Sequence, residues 1–312
     1  MDAKDYGRCF QLSLSQLNIW NLESTLKGTS VNNISATIQI EGRVDFILLQ
    51  KSIQLVLQAD DSLRTRIMLD GDGSPVQYHA VFSEEDFPVY DLSHTSEEGI
   101  ESWEAAMTRE TIPVMGGPLY RFVLFRAGEN AGGVLVKTHH IISDGWSQVL
   151  VCNRIAQTYL ELLEGTFRGL EQSPDYKLHV REEEDYLKSR AYDKDKKYWT
   201  RILEESGEPS VLKAVKSAAV SPVGRRISFE LPQVLNHAIY GFCMRNRVAP
   251  FAVFYMALAI YFKRIGGADR FTIGVPIMNR TNYEFKKTTG MFVTTLPFFN
   301  KIDDEWTWNQ FN

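Results

Sequence analysis

The sequence predicts a mixed α/β fold that consists of two lobes, each an α/β sandwich. Apolar residues alternate with a period of two in some segments and recur with helical spacing in others, and both patterns occur in each half of the chain. A segment rich in Gly, Ser and Pro, residues 165–180, separates the halves. The chain of 312 residues is long enough for two such units. We therefore place an N-terminal lobe at residues 1–170 and a C-terminal lobe at 171–312.

The first half combines capped helices with alternating strands. Ser13 or Ser15 before an apolar stripe predicts a helix N-terminus, and Asp70-Gly71-Asp72-Gly73 predicts a hairpin turn. Strands are expected at residues 31–40, 63–68, 76–81, 118–125 and 133–139. Helices are expected from Ser13 or Ser15, at 44–58, at 96–111 and from Ser143 or Asp144 to Gly165.

The second half repeats this layering. Each of two prolines, Pro232 and Pro250, precedes a segment with helical spacing. Proline is favoured at the first position of a helix, where an N–H group would have no partner, so each predicts a helix start. Helices are expected at residues 181–203, 232–246 and 250–265, strands at 224–231, 271–276 and 291–298, and the beginning of another helix at 303–310.

Composition and charge argue against several classes of function. The formal net charge of −5 disfavours nucleic acid or an anionic membrane surface as a partner. No run of about 18 apolar residues is present, which excludes a membrane span. The first residues lack an apolar signal region, so we expect a cytoplasmic protein. Cys9, Cys152 and Cys243 are scattered without metal-ligand spacing and suit reduced thiols.

Two adjacent histidines, His139 and His140, leave the end of a strand just before a helix N-terminus. Side chains there can point into a cleft, where free N–H groups can meet negative charge. Such a pair can also be buried and hydrogen bonded, or bind a metal, although the other histidines form no ligand pattern. A serine hydrolase or a nucleotide-binding protein would need a Gly-x-Ser-x-Gly or a Gly-rich phosphate motif, and neither is present.

The arrangement His139-His140-x-x-x-Asp144-Gly145 resembles the signature of condensation domains in nonribosomal peptide synthetases, and of the wider superfamily that includes chloramphenicol acetyltransferase. Further segments are similar to other motifs of the family, in the same order. They are Leu14-Ser15-Gln16-Leu17-Asn18-Ile19-Trp20, Asp61-Ser62-Leu63-Arg64-Thr65-Arg66-Ile67, Gly117-Pro118-Leu119-Tyr120-Arg121, Tyr198-Trp199, Ile273-Gly274-Val275-Pro276-x-x-Asn279-Arg280 and Gly290-Met291-Phe292-Val293-Thr294-Thr295-Leu296. The resemblance covers nearly the whole chain.

The resemblance implies two chloramphenicol acetyltransferase-like lobes in a V arrangement, with a substrate tunnel between them. Because the family's last motifs are missing, we expect a C-terminally truncated domain with an incomplete second lobe. The implied reaction joins a carrier-bound acyl or peptidyl thioester to the α-amino group of a carrier-bound aminoacyl group. The domain itself would bind no cofactor, since phosphopantetheine arms carry both substrates. The implied partners are donor and acceptor carrier domains and an adjoining adenylation domain.

The resemblance also implies roles for the residues of the signature. His140 is the catalytic residue, which either accepts the proton of the attacking amine or holds the amine in line. Asp144 is either a direct acid or one half of an ion pair that fixes the loop, with Arg64 or Arg280 as its partner. Gly145 leaves room for the tunnel and offers its N–H group to the oxyanion.

Five further residues are expected near the same site. His139 is a packed, hydrogen-bonded neighbour of the catalytic histidine, because successive strand side chains point to opposite faces. Gln16 and Trp20 are expected to pack beside the tunnel, Ser147 to touch the pantetheine, and Thr294 to line the tunnel where the family usually has Asn. A second departure, Asp60-Asp61 in place of the usual His-Glu, is expected to be a harmless surface change.

Three functions remain open at this stage. The first is peptide-bond formation, including the possibility of a starter domain that N-acylates the first amino acid. The second is a free-standing acyltransferase of the same superfamily that uses coenzyme A or a carrier. The third is a truncated, non-catalytic fragment that binds a carrier protein.

Overall fold

The computed structural model describes residues 9–206, 227–266 and 270–303. Two expected elements extend beyond them, the strand at 224–231 and the helix at 303–310, and the described residues 227–231 form neither helix nor strand. No single helix within the described ranges is long and apolar enough to cross a membrane; the bent pair Gln233–Asn246 and Pro250–Gly266 passes that test only jointly, by length and composition. The mixed α/β class predicted from the sequence is confirmed.

The larger sheet has four strands, which carry the histidine pair to one end of the sheet. The strands are β2 (Asn33–Glu41), β5 (Val89–Asp91), β6 (Tyr120–Gly128) and β7 (Ala131–His139), in the order β2-β7-β6-β5. β7 pairs antiparallel with both β2 and β6, so that Asn33 lies opposite His139. The short strand β5, which the sequence pattern did not reveal, runs parallel to β6.

The main core lies between this sheet and two helices, α2 (Phe46–Ala59) and α4 (Gly145–Leu163). Leu49 and Ile53 of α2 and Ile155 of α4 are fully buried in one cluster with side chains of β6 and β7. Because burying one such side chain stabilises the fold by about 1.5–3 kcal/mol, this cluster fixes the direction in which α4 leaves the histidine loop.

A smaller sheet has the order β1-β4-β3, with β1 (Phe10–Gln11), β3 (Thr65–Leu69) and β4 (Pro75–His79). The hairpin between β3 and β4 forms as expected, because Asp70 Oδ1 accepts hydrogen bonds from the N–H groups of Asp72 (3.0 Å) and Ser74 (2.9 Å). A 3-10 turn at Asp61–Arg64 connects α2 to β3.

Helix α1 (Leu14–Thr25) is capped by Ser13, one of the two serines expected there, and Ser13 and Gln16 form a reciprocal capping box. Helix α3 (Glu97–Arg109) is capped by Ser96. Side-chain oxygens that accept from the first free N–H groups therefore set both helix starts.

The helix expected at residues 181–203 is in fact two helices, α5 (Lys177–Leu187) and α6 (Arg190–Ser206). The division has a local cause: the Ser189 hydroxyl accepts a hydrogen bond from the Tyr192 N–H (3.2 Å), as an N-cap residue does at a new helix start. Helix α5 also begins inside the segment expected to be a linker and buries Val180 beside Phe285.

The remaining elements are α7 (Gln233–Asn246), α8 (Pro250–Gly266), β8 (Arg270–Ile277), α9 (Tyr283–Lys287) and β9 (Thr294–Lys301), and β8 pairs with β9. The strand expected at 291–298 therefore starts later than predicted. The N–H groups of Phe292 and Val293 donate to the carboxylate of Asp144 instead of a neighbouring strand.

The chain divides into two compact units. The first comprises the described residues of Met1–Leu187 together with Met278–Thr294, and the second those of Lys188–Ile277 and Thr295–Asn312. This division lies after the expected boundary at 170/171, because α5 and residues 278–294 pack with the first unit. The second unit has a small core of its own that includes Ala259, Phe271 and Ile302. The assignment of two lobes in a V stays a prediction.

Candidate active site

His140 lies just past β7 with its ring held in one orientation. Its Nδ1 lies 2.8 Å from the carbonyl oxygen of Ser143, and its backbone N–H donates to the carbonyl of Asn32 (2.6 Å). Because a carbonyl only accepts, Nδ1 carries the proton, and in the neutral ring Nε2 keeps a lone pair. His140 is partly exposed. It can therefore accept a proton at Nε2 from a bound molecule.

His139 has the opposite tautomer and is 1% exposed. Its Nδ1 accepts a hydrogen bond from the Ile141 N–H (3.1 Å), so the proton is on Nε2, which lies 3.6 Å from Glu23 Oε2. Burial lowers the pKa of His139 to about 4, and a proton on the adjacent His140 acts in the same direction. His139 is thus a neutral, packed neighbour and not a base in the cleft.

Asp144 caps helix α4 and is completely buried. Its Oδ1 accepts from Ser147 N–H (2.9 Å) and Arg280 Nη2 (3.0 Å), and its Oδ2 from Arg280 Nη1 (2.7 Å). The N–H groups of Phe292 (3.1 Å) and Val293 (3.2 Å) also donate to Oδ2. Burial would raise the pKa of this carboxyl, but Arg280 and the N–H donors hold the pKa of Asp144 below its ordinary value. An ionised carboxylate enclosed by donors is poorly suited to give a proton.

Of the two arginines considered as partners of Asp144, Arg280 makes the ion pair and Arg64 does not. The Arg280 side chain is fully buried, and its guanidinium carbon lies 4.2 Å from the centre of the Phe292 ring. Arg64 pairs with Asp61 and donates to backbone carbonyls around the 3-10 turn. Its expected place at the site is therefore corrected: Arg64 holds the turn before β3.

Ser147 was expected to touch the pantetheine, and the structure contradicts this, because the side chain is completely buried. Its hydroxyl donates to the Gly290 carbonyl (2.8 Å) and accepts from the Gly290 N–H (3.0 Å) and from Arg280 Nη2 (2.7 Å). These contacts use the single donor and both lone pairs of the hydroxyl. Ser147 ties helix α4 to residues 288–293 instead.

The first turn of α4 leaves room for a ligand. Gly145 is exposed, and a Cβ atom there would meet nothing within 4 Å. The Asp144 side chain accepts from the Ser147 N–H but not from the N–H groups of Gly145 and Trp146. These two groups have no acceptor within the part of the chain that the structure describes. The Trp146 ring is also partly exposed, with its indole N–H donating to the Lys286 carbonyl (2.8 Å).

Sequence reasoning missed Tyr176, which anchors residues 290–291. Its hydroxyl donates to the Met291 carbonyl (2.5 Å) and accepts from Ser13 Oγ (2.8 Å). A Cβ atom at Gly290 would lie 2.1 Å from the Tyr176 ring, so only glycine fits there. No spacing or motif marks Tyr176, because its partners are distant in the sequence.

Asp60, which replaces the His usual in the family, was expected at the surface. It is instead completely buried. Its carboxylate accepts hydrogen bonds from the hydroxyls of Thr289 (2.7 Å) and Ser173 (3.0 Å). The change is therefore part of the interior that supports residues 288–293.

Gln16 and Trp20 both lie on helix α1 near the histidine loop. The buried amide of Gln16 forms a reciprocal pair with that of Gln77 (2.7 and 2.9 Å) and donates to the Ile141 carbonyl (2.9 Å). Trp20 packs against the cluster that contains Ile141 and lines a mostly apolar cavity of about 560 Å³. Thr294 begins β9 and is half-buried.

No group of three or more His, Cys, Asp or Glu side chains within residues 9–206, 227–266 and 270–303 is arranged to hold a metal ion. The loop that carries His140 has features of an acyl-transfer site: an oriented imidazole and, at the start of α4, two N–H groups that lack an acceptor among the described residues. The sequence model of the family described as "Condensation domain" matches residues 8–311. The chain belongs to the condensation-domain family.

Among curated relatives, this condensation domain is 32% identical to surfactin synthase subunit 1 of Bacillus subtilis (strain 168) over 97% of its own length and 8% of that protein. It is 26% identical to bacitracin synthase 3 of Bacillus licheniformis over 96% of its length and 4% of that protein. It thus spans only a small part of the long synthetases that it matches.

Among solved structures, the chain is similar to the first condensation domain of the calcium-dependent antibiotic synthetase in complex with a substrate analogue. The TM-score is 0.83 at 21% identity, over 95% of this chain and 70% of that one. It also resembles the starter condensation domain of rhizomide synthetase in complex with C8-CoA, with a TM-score of 0.83 at 23% identity, over 97% and 69% of the two chains. At these identities the likeness shows the fold.

Proposed function

We propose that this condensation domain forms an amide bond between a carrier-bound acyl or peptidyl thioester and the α-amino group of a carrier-bound aminoacyl group. The observation that carries the proposal is the orientation of His140, whose Nδ1–H is bonded to the Ser143 carbonyl and whose Nε2 has no hydrogen-bond partner among the residues that the structure describes. The supporting loop is rigid because Asp144 and Arg280 form a buried bidentate pair.

In the proposed reaction, the amine nitrogen attacks the thioester carbonyl carbon, and a tetrahedral intermediate with an oxyanion forms. His140 Nε2 accepts the proton that the nitrogen loses, the C–S bond breaks, and the proton passes to the thiolate that leaves. An α-amino group titrates near about 7.7, so much of it is already neutral near neutral pH, and a strong base is not required. General-base catalysis of this kind contributes about 10²–10⁴-fold.

Two features support stabilisation of the oxyanion. The N–H groups of Gly145 and Trp146 are unpaired within the described part of the chain and lie at the N-terminus of α4, where the helix dipole favours negative charge. The open space beside Gly145 leaves room for a thioester group. Asp144 acts in this scheme as a structural anion and not as an acid.

The substrates would reach the site on the phosphopantetheine arms of donor and acceptor carrier domains, and the domain itself would need no cofactor. An adjoining adenylation domain would supply the activated amino acid, and the reaction would take place in the cytoplasm without nucleic acid or membrane. The apolar cavity beside Trp20 suits an acyl chain or an apolar side chain of a substrate. Thr294, near the loop that binds Asp144, is proposed as a further contact with substrate.

The second candidate function is N-acylation of the first amino acid by a starter domain. It is favoured by the similarity in fold to the starter condensation domain of rhizomide synthetase, which was solved with C8-CoA. The chemistry at His140 would be the same, and only the donor would differ.

The test is to incubate the purified protein with one carrier loaded with an acyl or peptidyl thioester and a second carrier loaded with an aminoacyl thioester. Mass spectrometry should detect the amide on the acceptor carrier, at a rate that falls with His140→Ala and not with the exposed control His94→Ala. A parallel reaction with octanoyl-CoA as donor distinguishes the starter reaction. Carrier binding without amide product from any donor would contradict the proposal and support a non-catalytic role.

A further inference from the structure

We propose that Asp60 is a positioning residue, which holds residues 288–290 in place and thereby sets the geometry of the Asp144 loop that carries His140. The inference rests on the proposed function for its consequence in catalysis, although its structural part stands without it. Asp60 lies at the C-terminal end of α2 and contacts none of the atoms proposed to react.

The environment of Asp60 is that of a buried anchor. Oδ2 accepts hydrogen bonds from the hydroxyls of Thr289 (2.7 Å) and Ser173 (3.0 Å), and Oδ1 accepts from the Ser62 N–H (3.2 Å). The guanidinium of Arg154 lies 3.7 Å from Oδ2. Each of these four groups is a donor. The carboxylate thus links helix α2, helix α4 and two distant loops.

The contacts continue from Asp60 to the candidate active site through adjacent residues. Thr289, which donates to Asp60, precedes Gly290, and Gly290 exchanges two hydrogen bonds with the Ser147 hydroxyl. Ser147 donates its N–H to Asp144, the residue that caps the helix after the histidine loop. A displacement of Thr289 would therefore move the groups that hold Asp144.

The chemistry at this position requires a carboxylate. An Asn side chain keeps the shape but presents an NH₂ group toward neighbours that are themselves donors. A neutral His has a single acceptor nitrogen and cannot receive the hydroxyls of Thr289 and Ser173 together with the Ser62 N–H. Burial raises the pKa of Asp60, and the hydrogen bond from Thr289 and the charge of Arg154 oppose this. The three donors and the guanidinium fit the ionised form.

The test is a double-mutant cycle with Asp60→Asn, Thr289→Val and the double variant, in the two-carrier assay. We expect each single variant to lower kcat by between about 10- and 100-fold, the range that a small misplacement near the chemistry produces, with KM changed less than about twofold. The double variant should be no slower than Asp60→Asn, because both changes remove the same contact. Thr289→Ser, which restores the hydroxyl, should recover kcat, and Asp72→Asn, at an exposed carboxylate in the β3–β4 turn, should leave kcat unchanged.

A second measurement does not depend on turnover. Amide hydrogen exchange should become faster in Asp60→Asn and Thr289→Val at the three N–H groups that face the site, those of Gly290, Phe292 and Val293, and not in Asp72→Asn. Unchanged exchange at these amides would overturn the inference, whether or not the protein is active. An inactive wild-type protein would contradict the proposed function alone. Additive losses of kcat in the cycle would also contradict the role of Asp60. If Asp60→Asn fails to fold, the comparison of Thr289→Val with Thr289→Ser tests the same contact from the other side.

Discussion

His139 and His140 carry their protons on opposite nitrogens. The Nδ1 of His140 donates to the Ser143 carbonyl, whereas the Nδ1 of His139 accepts from the Ile141 N–H. The strand turns the two rings to different surroundings, one partly exposed and one 1% exposed. Two identical side chains that are adjacent in the sequence therefore have separate tasks, one in chemistry and one in packing.

This separation predicts opposite effects of alanine at the two positions. His140→Ala should lower the rate of amide formation by about 10²–10⁴-fold and change the free energy of unfolding by about 1 kcal/mol or less. His139→Ala should destabilise the fold by on the order of 3 kcal/mol, because it leaves a cavity beside Glu23. Urea unfolding and the two-carrier assay measure both quantities. A rate loss in His140→Ala that merely follows a loss of stability would contradict the assignment.

The buried ion pair of Asp144 and Arg280 predicts a large loss of stability when one partner is removed. Arg280→Met should lower the free energy of unfolding by about 3–5 kcal/mol, because an uncompensated carboxylate remains buried. The control is Arg121→Met, since the pair of Arg121 and Glu110 is exposed and should be worth about 0–1 kcal/mol. Equal losses of stability in the two variants, measured by urea unfolding, would show that the pair does not secure the loop.

The open space at Gly145 predicts a substitution that affects activity and not folding. Apart from its chain neighbours and the backbone of α4, a Cβ atom there meets no atom of the described residues within 4 Å, and Ala in the first turn of a helix is well tolerated. Gly145→Ala should therefore keep the thermal midpoint and lower kcat/KM, since the methyl group enters the space proposed for the thioester. If the kinetic constants stay at their wild-type values, the substrate does not pass beside Gly145.

Local patterns were sufficient to predict the elements that carry the site. An apolar β-branched run predicted β7, and a polar cap before helical spacing predicted α4, so the position of His140 between them followed from neighbouring residues. The same holds for the start of α1, expected at Ser13 or Ser15 and found at Ser13, and for the hairpin at residues 70–73, because each depends on contacts within a few residues.

Contacts between distant residues could not be predicted in this way. The sequence left both Arg64 and Arg280 as partners of Asp144, and Arg280 is 136 positions away. Asp60 meets Thr289 across 229 positions. Periodicity does not report such pairs, so Asp60 was expected at the surface and Ser147 at the substrate.

Two buried histidines predict how stability depends on pH. Burial lowers the pKa of His139 and His179 to about 4 from the ordinary 6.5. Between these values the unfolded chain binds more protons, so the free energy of unfolding should fall as the pH decreases from 6.5 toward 4, by up to about 3 kcal/mol for each histidine. Urea unfolding at pH 7 and pH 5 measures this decrease.

The matched variant for this pH effect is His179→Phe, which keeps an aromatic ring among Tyr176, Phe285 and Phe292. It should reduce the loss of stability between pH 7 and pH 5, whereas the exposed His94→Gln should leave it unchanged. The same pH dependence in wild type and His179→Phe would show that protonation of His179 does not oppose folding.

The contact between Gly290 and Tyr176 predicts that a single methyl group disturbs residues 288–293. A Cβ atom at Gly290 would lie 2.1 Å from the Tyr176 ring, and forcing an extra carbon into a filled core costs about 1–3 kcal/mol. Gly290→Ala should therefore lower both stability and kcat, because Gly290 also bonds Ser147. Gly117→Ala is the control, since a Cβ atom there meets nothing within 4 Å.

Adding Tyr176→Leu to Gly290→Ala should recover part of the lost stability by making room for the methyl group. If the double variant is as unstable as the sum of the two single variants, the aromatic ring is not what restricts position 290 to glycine.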